Sequence, residues 1–94
     1  MTEIRLTGRL VCATEAEAAV VTALLPEHRA LTLAEPGCLS FDVVATADPL
    51  VWTVAERFTD EQAFRAHQAR VSAGDWGRRT ATVERQYEVR GLPE

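Results

Sequence analysis

Apolar and polar positions alternate through IRLTGRLVC, residues 4–12, so that Ile4, Leu6, Leu10 and Cys12 point one way and Arg5, Thr7 and Arg9 the other. A period of two is a strand with one buried face. Gly8 inside it marks a bulge or a close backbone approach. The period then changes. TEAE at 14–17 has the form of a capping box, Thr14 as N-cap and Glu17 reaching back. Val20, Val21, Leu24, Leu25 and Leu31 follow at helical spacing and predict a helix to about Ala34. Pro26 removes one backbone hydrogen bond and crowds the preceding turn, so a kink or restart is expected there. Pro36 and Gly37 of EPGC end the helix in a turn.

The second half repeats the logic. In CLSFDVVA (38–45), Leu39, Phe41 and Val43 alternate with Ser40 and Asp42, and TADP (46–49) reads as a hairpin loop. In LVWTVAERF (50–58), Trp52, Val54, Glu56 and Phe58 share a face. Thr59 as N-cap and Gln62 three residues later predict a second capped helix to about Ser72. SAGDWGRR (72–79) reads as a loop or broken turn holding Trp76. TATVERQYEV (80–89) is the last strand, with Val83, Tyr87 and Val89 on one face. The order β-α-β-β-α-β is the ferredoxin-like, α+β pattern, an antiparallel four-stranded sheet with both helices on one face. Residues 1–94 are expected to form one domain. The other sheet face is left open and partly apolar, and the simplest partner to cover it is a second copy, a two-fold homodimer.

Composition narrows the function classes only a little. The net charge of −4 and the absence of a run of like charges argue against a nucleic-acid binder or a membrane patch. No apolar run approaches the roughly 20 residues of a membrane span, and the N-terminus lacks the charged and apolar regions of a signal peptide. Cys12 and Cys38 are expected as reduced thiols in the cytoplasm. All ten basic residues are arginine, and the chain contains no asparagine.

Two segments carry a family resemblance. HRALTLAEPGCLSFDV and VAERFTDEQAFRAHQ resemble the antibiotic biosynthesis monooxygenase family through Glu35, Pro36, Gly37, Cys38 and Leu39, and through Glu56, Arg57, Phe58, Ala63, Phe64 and His67. ERQYEV (84–89) resembles that family's last strand. The resemblance spans roughly residues 4 to 90. It implies a dimeric α/β barrel, with a pocket between sheet and helices in each subunit. It also implies oxidation of a small phenolic, quinol or polyketide-like substrate by molecular oxygen without flavin, haem or metal. A base and a desolvated cavity suffice for such chemistry, because the deprotonated substrate is itself the electron donor. Anthrone-oxidising relatives carry asparagine, tryptophan and tyrosine where this chain has Val54, Phe58 and Phe64. Haem-degrading relatives need an asparagine that is missing here.

The polar groups that remain are His28, Glu56 and His67, the candidate catalytic set. His67 is centred between Ala63, Phe64 and Val71 on the second helix. It reads either as a neutral core histidine bonded to a strand group such as Glu56, or as a base or ligand-orienting group tuned near neutral pH. His28 falls between Leu24 and Leu31, where a carbonyl freed by Pro26 would be its partner. Neither histidine has the local spacing of a metal ligand pair, so no metal is expected. Phe41, Trp52, Val54, Phe58, Phe64 and Trp76 are candidates for the wall of an aromatic pocket, or for plain core. Three functions fit: a cofactor-independent monooxygenase, a non-redox isomerase or cyclase using the same pocket, and a non-catalytic dimer that binds a small ligand or stabilises another enzyme.

Overall fold

The computed structural model describes residues 2–93. Its elements are β1 (Ile4–Val11), α1 (Glu15–Leu33), β2 (Cys38–Ala45), β3 (Val51–Phe58), α2 (Glu61–Ala73), α3 (Asp75–Arg79) and β4 (Glu84–Arg90). The strands pair antiparallel in the order β2-β3-β1-β4, the ferredoxin-like topology. Alternation decides which face is covered. Ile4, Leu6 and Leu10 of β1, Phe41 and Val43 of β2, and Trp52, Val54 and Phe58 of β3 are buried. Each fully buried Ile, Leu or Phe among them contributes about 2 kcal/mol. The intervening Arg5, Thr7, Arg9, Asp42, Thr53 and Arg57 lie on the open face, which is mostly polar and exposes Leu39 and Val44.

Several local expectations are corrected. The helix α1 runs unbroken through Pro26. Pro26 and Thr22 are both exposed, so water can take the carbonyl that proline leaves unpaired. Its buried line is Val21, Leu25, His28 and Thr32, while Leu31 is turned outward. Leu39 leaves the buried face of β2 because the pairing with β3 shifts register between Cys38 and Ser40. The N-cap of α2 is Asp60, whose carboxylate accepts from Ala63 N at 2.8 Å, rather than Thr59. The segment read as a loop contains the short helix α3, and β4 begins only at Glu84. Thr14 does cap α1, accepting from Glu17 N, and Glu17 reaches back to Ala13 N at 2.7 Å.

Gly8 lies between Leu6 and Leu10 on β1 and has φ 152°. It passes β4 so closely that a Cβ there would sit 2.0 Å from the Gln86 carbonyl oxygen.

Candidate active site

Three elements each deliver one ionisable group to the interior. The alternation of β3 turns Glu56 inward, between Leu6 of β1 and Phe41 of β2 in the register of the sheet. Helical spacing puts His67 beside Phe64 on the covered face of α2 and His28 on the covered face of α1. All three are buried, with 4–6% of their surface exposed. A carboxylate among apolar cross-strand neighbours has lost its water, and its charged form is disfavoured.

The fourth member is Glu35, in the turn between α1 and β2. Its Oε1 lies 2.7 Å from His67 Nδ1, and its Oε2 accepts from Arg70 Nε at 3.0 Å. Arg70 Nη2 in turn donates to Thr32 Oγ1 at 3.0 Å. Gly37 makes the turn possible. A Cβ there would come within 2.3 Å of Ala63 Cβ on α2, so only glycine lets the Glu35 turn settle against the helix that carries His67. The Gly37 carbonyl also accepts from Thr59 N at 2.9 Å. A carboxylate on Nδ1 fixes the proton there and leaves Nε2 as a lone pair.

That lone pair faces Glu56. His67 Nε2 and Glu56 Oε1 are 3.5 Å apart, too far for a formed hydrogen bond, and Oε1 has no other partner among the described residues. The expected Glu56–His67 hydrogen bond is therefore replaced by a Glu35–His67 bond with Glu56 on the opposite side of the ring. Burial, and then the charge of Glu35, push the Glu56 carboxyl up to about 7, with Arg85 opposing. Burial lowers His67, against the hydrogen bond and charge of Glu35. His28 is held down to about 3 by burial and by the positive charges of His67, Arg70 and Arg85. Near neutral pH both rings are uncharged, and Glu56 is the group poised to gain or lose a proton.

Among the described residues His28 finds no carbonyl, and its buried Nδ1 has no partner. Its ring stacks instead on Trp76, with centroids 4.3 Å apart and planes 2° from parallel, and meets Phe41 edge-on at 5.3 Å.

A small cavity of about 40 Å³ is lined by His28, Glu56, His67, Arg85 and Tyr87. Burial pushes the Tyr87 phenol up to about 12. An outer cleft of about 300 Å³ lies between α1, α2 and α3, and His28, Val71 and Trp76 border both spaces. Of the six expected wall residues only Trp76 lines these spaces. Phe41, Trp52, Val54, Phe58 and Phe64 pack as core around them. Glu35, Arg70 and Arg85 join the site beyond the residues expected from the sequence. The three-residue spacing of His67 and Arg70 on one helix was the available signal, since both want a carboxylate. Among the described residues, no group of three or more His, Cys, Asp and Glu side chains is arranged to hold a metal ion.

The geometry can be set beside known proteins. The fold matches a candidate antibiotic biosynthesis monooxygenase from Nitrosomonas europaea, with a TM-score of 0.78 and 17% identity, over 98% of this chain and 92% of that one. It matches SnoaB, a cofactor-independent oxygenase from Streptomyces nogalater crystallised as a variant, with a TM-score of 0.72 and 13% identity, over 100% and 96% of the two chains. A protein of Mycobacterium tuberculosis, Rv0793, superposes with a TM-score of 0.74 and 20% identity over 99% and 97%. Comparison with curated protein sequences gives no match. The sequence model of one family, antibiotic biosynthesis monooxygenase, fits residues 4–79, most of the chain. The chain belongs to the antibiotic biosynthesis monooxygenase family.

Proposed function

We propose that the protein is a monooxygenase without a resident cofactor, acting on a small aromatic compound with an acidic phenolic or benzylic hydrogen. The observation that carries this reading is the Glu56 Oε1, without a partner among the described residues and buried beside His67 Nε2 at the edge of a small cavity. A desolvated carboxylate there is a stronger base than one in water and sits close to the operating pH. It takes a proton from the substrate. The resulting anion passes one electron to dioxygen, and the radical and superoxide combine to a peroxide. Loss of water then leaves one oxygen atom on carbon as a carbonyl and the other in water, with the proton returning through Glu56 and His67. His28, kept neutral, supplies a hydrogen-bond partner for the substrate oxygen. The open sheet face, with exposed Leu39 and Val44, supports pairing of two copies.

The test is oxygen uptake over a panel of phenols, quinols and anthrones, with wild type and Glu56→Gln. Consumption of one dioxygen per product that falls at least 100-fold in the variant, the scale of a lost general base, supports the reading. Uptake independent of Glu56 removes it. The same pair of groups supports a non-redox isomerisation or cyclisation, and turnover under argon assigns that reaction instead.

A further inference from the structure

The groups that would do chemistry face a cavity of about 40 Å³. That holds one or two waters, not an aromatic ring. The adjoining cleft of about 300 Å³ reaches the lower limit of small-molecule sites, yet neither Glu56 nor His67 lines it. Between the two spaces stands the indole of Trp76 against the imidazole of His28.

The geometry points to Trp76 as a swinging partition. Its ring occupies the place of a planar aromatic ligand on His28, and its displacement joins cleft and cavity into one site for a planar phenol or enol. The backbone beneath the ring is fixed. The Trp76 carbonyl accepts from both the amide and the hydroxyl of Thr80, itself fully buried. Gly77 is pressed so tightly on α2 that a Cβ would lie 2.1 Å from the Val71 carbonyl oxygen. The side chain is held by packing alone, half-buried against the core and stacked on His28. Among the described residues no hydrogen bond is made by the indole nitrogen, and α3 buries none of its residues. The stack adds up to about a factor of ten in population beyond the packing of the half-buried ring on the core, and a planar ligand that takes the indole's place on His28 restores that stack while the indole turns about its two side-chain torsions. The ligand is specified by what the swing uncovers: an aromatic face on His28, and the unpartnered His28 Nδ1 and Glu56 Oε1 for one hydroxyl.

This inference rests on reading Glu56 and His67 as the proton-transfer pair, and its test reads binding rather than turnover. The probe is 1-naphthol, followed by its own fluorescence after rapid mixing. If the open form is populated about one-tenth of the time, association should be about tenfold faster in Trp76→Ala than in wild type. An unchanged or slower rate, or no binding to either protein, overturns the gate. A second measurement needs no folded variant. In wild type labelled with 5-fluorotryptophan, saturating 1-naphthol should shift the fluorine resonance of Trp76 and leave that of core Trp52 in place. A stationary Trp76 resonance overturns the proposal. Failure of the gate leaves oxygen uptake and its dependence on Glu56 unaffected, whereas failure of the oxygenase reading leaves naphthol entry past Trp76 intact.

Discussion

Glu35 holds His67 by Nδ1 at 2.7 Å, across the ring from the carboxylate of Glu56. An imidazole between two carboxylates would ordinarily be drawn toward the protonated form. Here burial outweighs that pull and keeps His67 below its usual range. The two carboxylates also differ. Glu35 is paired twice, with His67 and Arg70, whereas Glu56 has an oxygen with no partner among the described residues. On the proposed reading Glu35 is a positioning residue and Glu56 the proton acceptor.

Removing Glu35 therefore strands two buried or half-buried donors. Glu35→Ala is expected to cost about 1–3 kcal/mol of stability, the cost of leaving hydrogen-bonding groups unsatisfied, measured by urea unfolding. Nitrogen NMR should show the His67 proton distributed over both ring positions and its titration moved lower still, since Glu35 is what raises it. Glu35→Gln keeps an acceptor for Nδ1 and should recover the tautomer but not the titration. A tautomer unchanged in Glu35→Ala would mean that packing alone orients the ring.

The raised Glu56 carboxyl predicts opposite trends for stability and activity. In the unfolded chain the group loses its proton near 4.5, in the folded chain near 7. The folded state thus binds the extra proton between these values. The stability contribution is complete below 4.5 and lost as pH rises through 7, up to about 3 kcal/mol. Catalysis by the ionised form should rise over the same interval. Unfolding free energies from pH 4 to 8 should show the alkaline decline in wild type and not in Glu56→Gln.

His28 gives the reverse slope. Its folded value is depressed from 6.5 to about 3, so its contribution is present above 6.5 and lost as pH falls toward 3. His28→Phe keeps a ring against Trp76 and removes the unpartnered Nδ1. Replacing a buried unsatisfied group by an apolar one should raise stability by about 1 kcal/mol at pH 7, and by more at pH 5. If the ring serves substrate, oxygen uptake should fall in the same variant, the exchange of stability for function that polar sites impose. A thermal unfolding series with the uptake assay separates the two effects.

Much of this arrangement is legible from period alone. Two-residue alternation through residues 50–58 turns Glu56 inward, and the spacing of Ala63, Phe64, His67 and Val71 turns His67 toward it. Both depend on local geometry that the chain repeats. Glu35 is not legible in this way, because a turn residue's direction is set by what the turn packs on, here Ala63 against Gly37. The α3 helix is not legible in the sequence either, because its five residues, capped by Gly74 and interrupted by Gly77, form no apolar stripe. Core and pocket wall also share one vocabulary. Phe58 and Phe64 meet edge to face at 5.7 Å and fill space, whereas Trp76 lines the cavity, a difference set by tertiary packing and not by residue type.

The tight passage of β1 over β4 supplies a last prediction, for the sheet beneath the site. Gly8 combines φ 152° with a path that would place a Cβ 2.0 Å from the Gln86 carbonyl oxygen. Alanine is strained in that conformation, and its methyl meets backbone, which cannot rotate away. Gly37→Ala is crowded too, but by the Ala63 side chain and without a positive φ. Gly8→Ala should therefore cost more, about 2–3 kcal/mol against 1–2 kcal/mol for Gly37→Ala. The kind of damage should also differ. Gly8→Ala should speed amide exchange along β4, where Gln86 and Tyr87 must shift, and leave the Glu35–His67 bond in place. Gly37→Ala should push the Glu35 turn off α2 and loosen that bond while β4 stays protected. Hydrogen exchange together with the His67 resonances reads both. Equal loss of β4 protection in the two variants would show that the sheet and the Glu35 turn unfold as one unit.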